Sequence, residues 1–197
     1  MSITTLPTSP IQSLYTIELT PAHAPLLQCF FDENPAYFLI TTGELAGPGE
    51  AIEEITNELP AGWQFTKKWV IGYANEQGAL VAMANVITDL LAPSVFHIGT
   101  FIVATQRHGS GDARLLYRGL ENWASANGAA WLRLGVMQGN TRAERFWLAQ
   151  GYIPVRERAG IQMGSRYVTV QTMVKPLTDS AMETYLALVP RDQRESV

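Results

Sequence analysis

Apolar and polar residues alternate over Leu14–Leu19 (Leu14, Tyr15, Thr16, Ile17, Glu18, Leu19), a period of two that predicts a strand. Thr20-Pro21 follows as an N-cap with proline at the first helical position, and the helix it opens should stop before Asn34-Pro35. Residues 35–48 hold Tyr37, Phe38, Gly43, Glu44, Gly47 and Pro48 and read as a long, aromatic-rich connection. Gly49 to Leu59 carries Ala51, Ile52 and Ile55 on one helical face. Lys67–Tyr73 and Ala79–Ile87 flank Asn75-Glu76-Gln77-Gly78 and predict an antiparallel hairpin.

Phe96–Val103 is a further strand. The helix after it places Leu116, Leu120 and Trp123 at i, i+4 and i+7, widened by Leu115 and Ala124, and stops at Asn127-Gly128. Trp131–Val136 is a short apolar strand suited to a sheet interior. Asn140 caps a helix with the stripe Ala143, Phe146, Trp147, closed by Gly151. Tyr152–Arg158 and Arg166–Lys175 are the last two strands. Beyond Pro176, residues Ala181, Met182, Tyr185, Leu186 and Val189 share a helical face that packs on the domain or on a second subunit. The order is β-α-α-β-β-β-α-β-α-β-β, an α/β mixed sheet with helices on both faces, in which the strand–helix–strand unit near residue 105 is right-handed and parallel. Residues 1–13, with Pro7 and Pro10, read as a flexible arm, 14–176 as the domain, and 177–197 as a C-terminal helix and tail.

With 197 residues and 47% apolar content, the chain suffices for one domain with a full core. No apolar run approaches the ~18 residues of a membrane span, and the first thirteen residues lack signal-peptide features. A net charge of −4 without a basic run argues against nucleic acid as a partner. Cys29 is the sole cysteine, no Cys/His cluster has metal spacing, and the combination reads as cytoplasmic. Cys29 itself falls in an apolar stripe and reads as a small core residue.

Chemistry concentrates around residue 105. There an apolar strand, Phe101-Ile102-Val103, breaks into Gln106-Arg107-His108-Gly109-Ser110-Gly111 and opens a helix at Asp112-Ala113. Helix N-termini present unpaired N–H donors, and glycine lets a backbone approach an anion closely, so this is a seat for a phosphate. The turn lacks the G-x-G-x-x-G spacing of a dinucleotide-binding fold.

At this point the chain resembles a known family, the GNAT superfamily of acyl-CoA-dependent N-acyltransferases. Gln106, Gly109 and Gly111 fill its Q/R-x-x-G-x-G/A cofactor signature, and Asn140, Ala143, Phe146, Trp147, Gly151 and Tyr152 fit its second motif. The resemblance covers roughly residues 14–176. It implies a central sheet of about seven strands flanked by about four helices, splayed between the fourth and fifth strands, and acetyl-CoA as co-substrate. The pyrophosphate would rest on N–H groups from Arg107 to Ala113, with Arg107, His108 and Arg114 as cationic helpers and the Asp112 carboxylate turned away. Pantetheine would pair with the backbone of Phe101, Ile102 and Val103 and meet the Asn140 amide, and Phe146 and Trp147 would line the thioester end. In two respects the chain departs from the family pattern. The Val-x-Pro often found before the glycine turn is absent, with Val103 only three residues before Gln106. Trp147 stands where a tyrosine often protonates the leaving thiolate, although an indole N–H is no acid at neutral pH. Water or Tyr152 would then supply that proton.

Direct attack of an amine on the thioester needs a base, because an alkyl ammonium has a pKa near 10.4. His97, at period-two spacing from Gly99, Phe101 and Val103, is one candidate; Glu44 and Tyr37 are the others. The resemblance implies that the long connection and the last hairpin frame the acceptor, with Tyr37, Phe38, Glu44, Met163 and Arg166 as its contacts. The expected activity is acetyl transfer to a primary amine of a small molecule, by a monomer or homodimer, without nucleic acid or membrane as partner. A protein or peptide N-acetyltransferase and a non-catalytic acyl-CoA-binding module remain alternatives.

Overall fold

Seven strands pair into one sheet in the order β1-β2-β3-β4-β5-β7-β6. In this computed structural model, which describes residues 5–194, they are β1 (Leu14–Glu18), β2 (Lys67–Asn75), β3 (Leu80–Thr88), β4 (Val95–Val103), β5 (Trp131–Met137), β6 (Ile153–Met163) and β7 (Arg166–Pro176). Six helices accompany them: α1 (Ala24–Glu33), α2 (Ala36–Thr41), α3 (Glu50–Thr56), α4 (Asp112–Ala126), α5 (Thr141–Ala149) and α6 (Met182–Leu188). Every pairing is antiparallel except β4 with β5. That parallel pair holds only from Val95–Ile98 to Trp131–Leu134; beyond it the strands part, leaving Gly99–Val103 without a neighbour on that side. The splay opens the sheet where a ligand can insert.

One face of the sheet is covered by α4 and α5. Leu116, Tyr117, Leu120, Trp123 and Ala124 form the buried stripe of α4, and Trp123 meets Trp69 edge-on with centroids 5.9 Å apart. Burying each such large side chain contributes ~1.5–3 kcal/mol. The opposite face carries α1, α2 and α3 over β2–β4 and, further along, α6 against Trp131. Tyr185 of α6 is fully buried with its ring 5.3 Å from Trp131, so the C-terminal helix packs on its own domain.

Several sequence expectations change. The aromatic connection after Pro35 contains a helix, α2, because Phe38 buries against Phe31 at 4.8 Å and carries that turn onto α1. Residues 5–13 do not form a free arm: the Thr5 carbonyl accepts from Trp123 Nε1 at 2.7 Å, the Pro7 carbonyl accepts from the Thr16 hydroxyl, and Leu6 packs on the main core. Cys29 is exposed rather than core, since α1 buries Leu27, Phe30 and Phe31 and position 29 lies off that face. The caps behave as read: Pro21 starts the first helical turn, Asn140 Oδ1 accepts from Ala143 N–H at 3.2 Å, and Gly151 follows α5 with φ 89°.

Candidate functional site

The splay between β4 and β5 is the mouth of a cleft of about 460 Å³. Its walls are the free end of β4 (Phe101, Ile102, Val103), the glycine turn, and α5 with Asn140, Ala143, Phe146 and Trp147. Gly109 and Gly111 adopt φ of 86° and 92°, a left-handed backbone that an L side chain resists. This conformation turns the chain sharply into α4. Among the described residues, the N–H groups of Gly109, Gly111 and Ala113 find no acceptor in the protein, and all three residues line the cleft. Three unpaired donors at the N-terminus of a fifteen-residue helix form a seat whose chemistry suits an anionic group.

Charge around that seat is sorted by pairing. Arg107 Nη1 donates to Asp112 Oδ2 at 2.7 Å, which neutralises the one carboxylate in the turn. Asp112 is thereby held off the cleft, as expected, but Arg107 is spent on it and is not a free cation. Arg114 and Arg142 also line the cleft and form no ion pair among the described residues. His108 lines it too, with Nε2 donating to the Val103 carbonyl at 2.8 Å, and burial lowers its pKa. That bond ties the glycine turn to β4 and occupies a carbonyl that the sequence reading gave to pantetheine. Gln106 is exposed, and neither it nor Ser110 reaches the cleft; the Ser110 hydroxyl instead accepts from Asp112 N–H and braces the turn.

At the inner end, Phe101 stacks on Phe146 with centroids 6.3 Å apart and approaches Trp147 at 5.9 Å. Trp147 is buried and offers no proton. Tyr152 offers none either: it is buried, accepts from the Tyr117 hydroxyl at 3.3 Å, and has its pKa pushed up by burial. The expectation that Tyr152 turns inward toward the thioester is therefore corrected.

A second, smaller pocket of about 150 Å³ lies behind the cleft, and Tyr37 and Ile102 line both. Its other walls include Phe31, Phe38, Glu50, Glu54, Thr100 and Met163. Glu54 projects from α3, which Gln28 Oε1 anchors by accepting from Ala51 N–H. Its Oε1 accepts from Asn85 Nδ2 at 2.7 Å. Burial raises the Glu54 pKa; the bond from Asn85, the nearby Lys68 and the Thr100 hydroxyl only partly offset it. Tyr37 is half-exposed as a residue with its phenol turned inward, and burial, reinforced by Glu54, pushes that phenol up to about 12. Thr100 shares the pocket wall with both groups, and its hydroxyl favours their charged forms.

Of the residues predicted for the acceptor side, Tyr37, Phe38 and Met163 come together in this pocket. Glu44 does not: it is exposed, and lines neither cavity. Arg166 is exposed as well and lies across Gly43, reaching the Leu39 and Ile40 carbonyls at 3.4 and 3.5 Å, so it straps the β6–β7 hairpin to the α2 loop. His97 is displaced for a geometric reason. Gly99 is an extra residue in β4, since Asn85 pairs with Thr100 while Val86 pairs with Ile98. This bulge reverses the alternation, putting Phe96, Ile98, Phe101 and Val103 on the α4 face and His97 on the other, with Thr100 and Ile102 but further along the strand toward α6, where it lines neither cavity. There Nδ1 accepts from Arg133 Nη1 at 3.2 Å, and burial beside that guanidinium drives the pKa down to about 3. Glu54 was missed because Glu50-Ala51-Ile52-Glu53-Glu54 looks like an acidic solvent face; no sequence signal separates it from its neighbours.

Comparison with known proteins agrees with this geometry. The sequence model of the acetyltransferase (GNAT) family matches residues 11–152. The chain belongs to that family. No curated protein matches it in sequence. Among solved structures, an acetyltransferase from Thermus thermophilus is similar with TM-score 0.66 and 22% identity, over 84% of this chain and 97% of that one. Spermidine N-acetyltransferase from Vibrio cholerae, solved with CoA and spermine, matches with TM-score 0.63 and 15% identity over 84% and 96%. The ribosomal-protein-S18-alanine N-acetyltransferase from Escherichia coli matches with TM-score 0.60 and 13% identity over 85% and 96%. At these identities the likenesses establish a shared fold. Among the described residues, no helix of this GNAT protein is long and apolar enough to cross a membrane.

Proposed function

We propose that the protein moves an acetyl group from acetyl-CoA to the primary amine of a small molecule by direct attack on the thioester. The observation that carries this reading is the wall shared by two cavities, Tyr37 and Ile102, with unpaired backbone donors on one side and a buried carboxylate on the other. The cleft fits the co-substrate: Gly109, Gly111 and Ala113 hold its pyrophosphate, Arg114 and Arg142 face its charge, and the free edge of β4 lies along its pantetheine arm. Acetyl-CoA supplies an activated acyl carbon and a thiolate leaving group.

The chain's own groups supply the rest. Glu54 takes the proton from the incoming ammonium, and its raised pKa narrows the gap between carboxylate and amine. Backbone N–H groups on the unpaired stretch of β4 receive the developing oxyanion; one such donor is worth ~3–4 kcal/mol. Tyr37 stays protonated at neutral pH and stands between the cavities, where it delivers a proton to the departing sulfur. The role that Trp147 cannot fill passes to α2. Thiol release from acetyl-CoA in the presence of an amine panel tests this. Turnover with a primary amine, lost in Glu54→Gln, is the expected result; binding of acetyl-CoA with no amine-dependent thiol release means a carrier module instead.

A further inference from the structure

A third cavity lies on the same side of the sheet and takes no part in the chemistry above. It is an open groove of about 1010 Å³ lined by Arg156 and Arg158 of β6, Gln171 of β7, and Arg191 and Arg194 after α6, with Glu157 the sole carboxylate. Arg158 and Arg194 form no ion pair among the described residues. Arg191 lies over the Trp63 ring at 4.4 Å, and its buried Nε has no partner. Burial and the neighbouring Arg191 and Arg133 charges lower the Arg158 pKa, as expected where cations are gathered ahead of an anion. Near Arg158 but outside the groove lining, Arg133 is held by both Asp192 oxygens at 2.7 and 2.9 Å, so that carboxylate is already matched.

β6 connects this groove to the acceptor pocket. Ile161 lines the groove and Met163 lines the pocket, ~7 Å apart along an extended strand. The two ends have opposite charge, with Glu50 and Glu54 in the pocket and four arginines in the groove. Resting on the acetyl-transfer reading, we infer that the acceptor is an elongated, bipolar amine: its ammonium enters the pocket at Glu54, and a carboxylate or phosphate ~10–15 Å away lies in the arginine groove. Guanidinium forks pair bidentately with either anion, so the groove selects for charge and shape together. A polyamine satisfies the pocket but is repelled by the groove.

The test compares Gly-Gly-Gly-Glu-Glu amide, its Gln-Gln and Lys-Lys counterparts, a Gly-Gly-Gly-phosphoserine amide, spermidine and glycinamide as acceptors, with three or four extended residues at ~3.3–3.6 Å each covering the span. The glutamate or phosphoserine peptide should exceed the glutamine peptide in kcat/KM by about tenfold or more, and the faster of the two tells carboxylate from phosphate. That ratio should collapse toward one in Arg158→Gln/Arg194→Gln. In Arg158→Glu/Arg194→Glu the preference should invert toward the lysine peptide, a gain that a misfolded variant cannot show. Equal rates for the glutamate, phosphoserine and glutamine peptides, or a preference for spermidine, overturn the assignment of the groove while transfer itself stands. Failure of every amine, glycinamide included, overturns transfer and the acceptor assignment together.

Discussion

Glu54 shares a seven-residue helix with Glu50 and Glu53, yet only Glu54 accepts from Asn85, and it raises the Tyr37 phenol more than Glu50 does. In the proposed mechanism the deprotonated form of Glu54 is the active one. With its pKa raised by burial, the acidic limb of the rate–pH profile should lie above the ordinary carboxylate value of ~4.3, with activity rising as pH rises through it. Glu54→Gln should lower kcat by ~10²–10⁴ and flatten that limb; a retained limb assigns the base elsewhere. Tyr37→Phe should cost less, about tenfold in kcat, because a thiol with pKa ~8.5 leaves tolerably unprotonated. A loss as large as that of Glu54→Gln would show the tyrosine to have another role. Tyr37 was visible in the sequence as an aromatic in an unusual connection. Glu54 was not, because its burial comes from strands more than thirty residues away.

Between elements, the joint that fixes α6 to the sheet is a buried polar cluster: Arg133 and Asp192, with side chains 5% and 0% exposed, joined by the Tyr185 hydroxyl at 2.6 Å and by His97. Burial favours the neutral Asp192 acid, but the bonds from Arg133 and Tyr185 outweigh it and hold the carboxyl below its usual range. His97, depressed to about 3, is neutral in the folded state, whereas in the unfolded chain it takes a proton below ~6.5. Its contribution to stability is therefore present above ~6.5 and is lost as pH falls toward 3; the Asp192 contribution is lost only below ~4. Urea unfolding should show stability declining from about pH 6.5 downward, with His97→Gln removing the upper part of the decline. Asp192→Asn should cost ~3–5 kcal/mol at pH 7, leaving Arg133 buried and unmatched; a loss under ~1 kcal/mol in the same assay would mean the cluster is hydrated. Alternation in the sequence located β4 but misassigned the face of His97, because a one-residue bulge at Gly99 leaves no mark on the hydrophobic pattern. The six-residue α2 was equally hidden: it is too short for periodicity to register, and tertiary burial of Phe38 sustains it.

Over the whole molecule, the order of strands and the location of the glycine turn were legible because each rests on local signals: alternation, caps and glycines. The acceptor side was legible only in part, since it is assembled from α2, α3, β4 and the β6–β7 hairpin, whose meeting no local pattern encodes. What unites the molecule is the splayed sheet, which places the unpaired N–H groups of Gly109, Gly111 and Ala113 in one cavity and Glu54 in another, with Tyr37 lining both. The most direct measurement is calorimetric titration of the protein with coenzyme A, repeated with Gly111→Val. This substitution forces a β-branched residue into φ 92° and swings the phosphate-facing amides out of line. Saturable single-site binding, weakened about tenfold or more in the variant at unchanged secondary structure, is the predicted result. No binding by the unaltered protein, or equal affinity in the folded variant, would contradict the account.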